Sequence, residues 1–271
     1  NLYLTVQIIW RKPEITYPYS SISAQEVEEV KALLEEQGYY LETNLPRHAQ
    51  RAALLSVNAA VADKDGFLNA FFPDGQAQYI MQENSLRGGL FYYKGKTLEF
   101  TNNGQVIYRF PNAVSEEDIN LEEEDLKWLG EEFLRQNGVL PEDARFDGVY
   151  PTWSEEEVVS FYQEFEGVPV YGSYINLYVR AGHVVEMNYY WLEPLGFKEE
   201  SPLVIPATQA LLSFLEAQGR AVLGERDITD VSLGYYTIEY DAQKWDAVPV
   251  WRIVLSNGRK VYVNAYSGEI E

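Results

Sequence analysis

Two histidines, no cysteine and 42 acidic residues bound the chemistry open to this 271-residue chain. A histidine acts in catalysis when a partner orients it and a nucleophile lies in reach. His183 directly follows the turn glycine Gly182, and His48 sits in the polar stretch Pro46-Arg47-His48. Neither setting supplies such a partner. The lack of cysteine excludes disulfides, thiolate metal sites and a thiol nucleophile. The sequence has no phosphate-binding Gly-rich loop closed by Lys-Ser/Thr, no dinucleotide fingerprint, no nucleophile elbow and no zincin motif. Gly88-Gly89 reads as a turn. Glu116, Glu117, Asp118, Glu122, Glu123, Glu124 and Asp125 crowd one stretch. They lack the alternating Asp/Asn spacing and turn glycine of a calcium loop, and acidic residues favour a helix N-terminus for dipole reasons. Glu155-Glu156-Glu157 reads as a polar loop before a strand. The expectation is therefore no enzyme, with no catalytic, metal-binding or cofactor-binding residue and no cofactor. A glycan-directed enzyme stays open as a third reading, because the sequence does not fix the separation of paired carboxylates.

The net charge of −21 repels phosphate backbones and anionic headgroups, which argues against nucleic acid as a partner and weakly favours cationic ones. With 46% hydrophobic residues the chain can bury sizeable cores. The aromatic runs Tyr17 to Tyr19, Phe71-Phe72, Phe91 to Tyr93 and Tyr189 to Trp191 suit half-buried sheet faces, and Tyr and Trp also serve as interface anchors.

Three helices carry start and stop signals. Ser23-Ala24-Gln25-Glu26 is a capping box, followed by the stripe Val27, Val30, Leu33, Leu34 and the stop Gly38. Asn120 to Glu123 repeats that logic before Leu126, Leu129, Phe133, Leu134 and Gly138. Pro206 fits a first helical position before Ala210, Leu211, Phe214, Leu215 and Gly219. Each helix precedes a hairpin turning at Gly104, Gly182 or Gly258 (182 − 104 = 78; 258 − 182 = 76). Three-residue loops with a left-handed glycine would place Ile175, Leu177 and Val179 on one face with Val185, Met187, Tyr189 and Trp191. The reading is an α+β fold of repeated units, each a helix packed on an antiparallel β-sheet. The expected division is 1–21 as a membrane-proximal segment or first strand, 22–113 as a first domain, and 114–271 as a second domain with halves 114–200 and 201–271. In the opening segment Leu2, Leu4, Val6, Ile8, Ile9 and Trp10 lead to Arg11-Lys12. That is the pattern of the outer end of a spanning helix, though too short to span alone, since spanning takes about 20 residues. The alternation of Leu2, Leu4, Val6 and Ile8 also fits a strand.

Phe161-Tyr162-Gln163 through Gly167-Val168-Pro169-Val170-Tyr171-Gly172-Ser173 resembles the strand pair of PepSY-type and peptidase-propeptide domains. Val248-Pro249-Val250-Trp251 through Asn257-Gly258 to Tyr266-Ser267-Gly268-Glu269 resembles the C-terminal hairpin of the YycI family. Gln37-Gly38, Leu45-Pro46 and Asn1-Leu2-Tyr3-Leu4 with Gln7 are similar to that family's first domain and anchor end. The resemblance implies one N-terminal membrane helix preceding this chain and a domain on the extracytoplasmic side of the cell membrane in a Gram-positive bacterium. It further implies control of the YycG (WalK) sensor histidine kinase of cell-wall metabolism by protein contact, with a related YycH-like single-helix protein as second partner. It carries no catalytic residues. The competing reading, from Gly167 to Ser173, is a peptidase-propeptide-like inhibitor.

Overall fold

A computed structural model describes residues 22–48, 50–59, 61–75, 77–80, 89–113, 121–152, 154, 156–221, 226–238 and 242–271. Leu2, Leu4, Val6, Ile8, Ile9 and Trp10, Asn120, and the acidic residues Glu116 to Asp118 lie outside the described residues. The elements run α1 (Ala24–Glu36), β1 (Tyr40–Leu41), β2 (Leu55–Asn58), α2 (Lys64–Phe71), β3 (Gln78–Ile80), β4 (Gly89–Tyr93), β5 (Lys96–Phe100) and β6 (Val106–Arg109). A 3-10 turn at Pro111–Ala113 leads to α3 (Glu123–Gln136), β7 (Ala144–Pro151), β8 (Glu157–Phe165), β9 (Val168–Arg180), β10 (His183–Tyr190) and β11 (Glu193–Phe197). The chain closes with α4 (Ala207–Gln218), β12 (Asp227–Tyr236), β13 (Lys244–Leu255) and β14 (Lys260–Asn264).

The fold is α+β, with helices packed on one large open sheet. Its strand path is β11-β2-β13-β12-β9-β10-β6-β5-β4-β3, with β1 on β12, β14 on β13, and β7 reaching β9 through β8. The sheet is mixed: β1 pairs parallel with β12, and β12 meets β9 in parallel at Tyr235 and Val170. This corrects the expected purely antiparallel sheet, and the molecule does not divide clearly into repeated helix-on-sheet units. One reason is that α2 joins the first stretch, where no helix was expected. Asp63 caps it by accepting from the Gly66 amide at 3.0 Å, and Phe67 and Phe71, one turn apart, are buried.

Two apolar cores form, and each draws on distant parts of the chain. One gathers Val27, Val30 and Leu34 of α1, Leu55 and Val57 of β2, Ala210, Leu211 and Phe214 of α4, and Trp251, Ile253 and Leu255 of β13. The other gathers Phe67 and Phe71 of α2, Leu126 and Leu134 of α3, Leu98, Val159, Phe161, Ile175, Leu177 and Met187. Strand β9 takes part in both: Val170 lies in the first and Ile175, Leu177 and Val179 lie in the second. Leu33 is 40% exposed, so the buried stripe of α1 is Val27, Val30 and Leu34. Pro206 is the N-cap of α4 with extended backbone, not its first helical residue, and Glu122 takes the cap position of α3.

Gly104, Gly182 and Gly258 all lie in hairpin turns at positive φ, +89°, +72° and +83°. The β13–β14 loop is the three-residue Ser256-Asn257-Gly258, closed by the Leu255 amide donating to the Arg259 carbonyl. The β9–β10 turn differs from expectation. It has two residues, Ala181 and Gly182, both at positive φ, and Arg180 pairs with His183. That turn alone would reverse the register, since slipping by one residue flips every side chain. A bulge between Val184 and Glu186 restores it, so Leu177 faces Met187 and Ile175 faces Tyr189.

Candidate functional site

The Gln163–Ser173 motif makes a closed hydrogen-bond network. Past the Tyr162–Tyr174 pair the β8–β9 register shifts, and Gln163 pairs with Val170 instead. The extra length in β9 turns Ser173 inward, fully buried, beside Gln163 at 2% exposure. The Ser173 hydroxyl donates to Gln163 Oε1 at 2.7 Å and accepts from the Leu192 amide at 3.0 Å. Gln163 Nε2 donates to Asp143 Oδ2 at 2.8 Å and to the Leu192 carbonyl at 3.2 Å. The other Asp143 oxygen accepts from the Trp191 indole at 3.1 Å. Gly172 eases the close approach, since a Cβ there would lie 3.1 Å from Thr237 Cγ2 and 3.2 Å from Leu192 Cδ1. Each side-chain polar atom of Gln163 is satisfied, which a buried amide requires. The motif fixes the chain as it leaves β10; it leaves no group for chemistry.

A second polar cluster was not foreseen. Asp147 of β7, its side chain only 2% exposed, meets Arg252 Nη1 of β13 and Lys260 Nζ of β14, each at 2.5 Å. Arg252 Nη2 also reaches Asp230 Oδ2 of β12 at 3.0 Å, and the guanidinium lies 4.1 Å from the centre of the Tyr171 ring. Ser232 joins the Tyr171 hydroxyl, at 2.8 Å, to Asp230, at 2.6 Å. Tyr236 and Tyr262 stack beside it at 4.1 Å between centroids. Burial alone would raise the Asp147 pKa, but the charges of Lys260 and Arg252 outweigh it and hold the carboxyl below its ordinary range. Burial pulls the Lys260 pKa down more than Asp147 lifts it. Arg252 moves up, with Tyr171 and Asp147 outweighing its burial. Burial raises the Tyr171 phenol to about 12. A general base works with a pKa near the operating pH; a carboxylate clamped by two cations and phenols raised this far are remote from that. The cluster is neutral by formal count, two cations against two carboxylates, and it pins β7 to β12, β13 and β14.

The surface offers three further features. Trp128 on α3 is 65% exposed, with Glu124, Asp125, Glu131 and Glu132 three or four residues away along the helix. Tyr79 and Tyr92 stand exposed on β3 and β4, where the sheet path ends. A cleft of about 350 Å³ opens where α2, the end of α3, the β5–β6 turn and the end of β10 converge, lined by Val61, Asp63, Phe67, Leu140, Tyr189 and Trp191 among others. The structure brings Tyr189 and Trp191 together here, 6.0 Å apart, but leaves the three hairpin glycines on separate turns. His48 and His183 are both exposed. Among the described residues no group of three or more His, Asp or Glu is placed to hold a metal ion, and no helix is long and apolar enough to cross a membrane.

A search of curated proteins finds no match. Among solved structures, an uncharacterized protein from Eubacterium rectale is similar over 90% of this chain and 98% of its own, at 11% identity and a TM-score of 0.53. YycH from Bacillus subtilis is similar over 78% of this chain and 52% of its own, at 16% identity and a TM-score of 0.50. At these identities the likeness shows a shared fold. The family model described as "YycI protein" matches residues 19–266, spanning both cores, the Gln163–Ser173 network and the charged cluster, and the chain belongs to the YycI family.

Proposed function

We propose that this chain is the extracytoplasmic part of a membrane-anchored regulator of a two-component sensor histidine kinase that controls cell-wall metabolism. It acts by contact with the kinase and with a YycH-like partner. The observation that carries the reading is the family match over residues 19–266. The geometry is consistent with it: Asp147, Asp230, Arg252 and Lys260 hold strands together, and Trp128, Tyr79 and Tyr92 are exposed. Trp128, ringed by carboxylates, and the Tyr79–Tyr92 sheet end are the contact surfaces this reading favours, since exposed Trp and Tyr are the residue types that anchor interfaces. A tether would confine chain and kinase to one membrane, so weak contacts suffice through effective concentration. The charged cluster and β9 join the two cores stiffly, which suits a body that shifts a partner between two states. The test is a membrane two-hybrid assay and pull-down with the full-length protein, together with deletion of the gene. The reading expects capture of a sensor kinase and altered cell-wall gene expression. Absence of both overturns it.

A further inference from the structure

We propose that the cleft between α2, the end of α3 and the end of β10 receives an apolar side chain carried next to cationic residues on an extended peptide. At about 350 Å³ it has room for one bulky side chain and part of the flanking backbone, near the lower end of ligand pockets, which begin at roughly 300 Å³. Its floor is aromatic. Phe67 is buried and stands edge-on to Tyr189 at 5.1 Å, and Tyr189 lies 6.0 Å from Trp191. The walls are Val139, Leu140 and Pro141. The lip is Val61, 90% exposed, an apolar side chain that the described residues leave uncovered.

Charge selects the occupant. Among the described residues of the lining, Asp63 is the one charged side chain, with no lysine or arginine beside it. Asp65 and Glu142, next in the chain to lining segments, are exposed carboxylates. Lys64, exposed between Asp63 and Asp65, offsets one of these charges and leaves the mouth with an excess of carboxylates. Lys64 sits over the rings of Phe91 and Phe100, at 4.9 and 5.8 Å, and Arg145 pairs with Glu164 at 2.9 Å. An apolar pocket with an acidic mouth, on a chain of net charge −21, repels fatty acids, nucleotides and acidic peptides and attracts a basic one. The floor is also held in place for binding, because Trp191 is fixed through Asp143 to the Gln163–Ser173 network. The inference does not depend on which protein the chain regulates, since it concerns a peptide chemistry and one cleft.

The experiment titrates the protein with three capped tripeptides, Arg-Phe-Arg, Arg-Ser-Arg and Glu-Phe-Glu, and follows the Trp191 indole N–H resonance, assigned with Trp191→Phe. The expected result is saturable movement of that resonance with Arg-Phe-Arg, at least fivefold weaker binding of each of the other two, and weakening with added salt. Val61→Arg places a like charge on an exposed lip and should reduce Arg-Phe-Arg binding at least fivefold with an unchanged melting temperature. Asp63→Asn keeps a capping oxygen and should weaken binding while removing part of the salt dependence. Failure of all three peptides at millimolar concentration overturns the proposal. So does equal binding of Glu-Phe-Glu, binding indifferent to Val61→Arg, or tighter binding of a fatty acid than of Arg-Phe-Arg. Loss of kinase capture in the two-hybrid assay with intact peptide binding would count against the regulator reading alone.

Discussion

At Asp147 two cations converge on one buried carboxylate. Asp147→Asn preserves shape but leaves Lys260 without its carboxylate and Arg252 with Asp230 alone. Breaking one side of a buried ion pair costs about 3–5 kcal/mol, so the melting temperature should fall by roughly 10 °C. The pH dependence has a definite sign. The folded-state pKa of Asp147 is depressed, so its contribution is fully present above the unfolded carboxyl value, about 3.9, and is lost as pH falls through the folded value. Melting curves of the two proteins should differ most near neutral pH and converge under acid. A constant gap from pH 7 to pH 2 would remove Asp147 from this role. Gly258 is the second residue to test. Its φ is +83°, and a Cβ there would lie 2.5 Å from Tyr150 Cβ. Gly167 has φ +80° with nothing within 4 Å of an added Cβ. Gly167→Ala should therefore cost about 1 kcal/mol for backbone strain alone, and Gly258→Ala should cost clearly more, about 2 kcal/mol or above, because β7 must also move. Equal losses in denaturant titrations would contradict the close approach. The turn role of Gly258 was legible from Ser256-Asn257-Gly258 between alternating strands, whereas its contact with Tyr150 joins strands more than a hundred residues apart and left no local trace. The charged cluster did leave one. Arg252 interrupts the apolar run Val248 to Leu255 of a strand covered on both faces, where a cation implies a buried partner. Its partners, Asp147 and Asp230, were two carboxylates among 42 acidic residues.

At the scale of elements, the Ser23 cap and the existence of the three hairpins were readable because their signals are local. Ser23 accepts from the Glu26 amide at 3.1 Å, the hydroxyl half of the capping box, while the Glu26 carboxylate accepts from Thr208. Helix α2 was missed because it is only 8 residues long and contains Gly66, so its composition resembles a turn. Asp63 followed by Phe67 and Phe71 is the signal that could have found it. The two-residue β9–β10 turn was misjudged because the correct facing arises from a turn and a bulge that offset each other. The Gln163–Ser173 network carries a prediction at this scale. Gln163→Leu fills the same space but leaves the Ser173 hydroxyl and the Leu192 carbonyl short of a partner. Unsatisfied buried polar groups cost about 1–3 kcal/mol each. The Trp191 indole resonance should shift and broaden as Asp143 loses the amide that orients it. An unchanged resonance with unchanged stability would separate the motif from the placement of Trp191.

Across the whole molecule, the path of the chain decides which pieces stand alone. Val27, Val30, Leu34, Leu55 and Val57 share a core with Phe214, Trp251 and Ile253. A fragment comprising residues 114–271 therefore lacks one wall of that core. It should bind a hydrophobic dye, lose cooperative melting and regain both when residues 22–58 are supplied as a separate peptide. A cooperative melt without the peptide would show that α4 and β12 to β14 hold their own core. Periodicity marked the apolar faces of α1 and α4 but not their pairing, which depends on contacts such as Thr208 donating to Glu26 at 2.6 Å across 182 positions. That separation has a consequence in time. Ribosomes add roughly 5–20 residues per second, so α1 emerges about 10–40 s before α4 exists. During that interval every newly made chain presents Val27, Val30 and Leu34 without the partner helix that covers them in the folded protein, and this face stays open until α4 has been made.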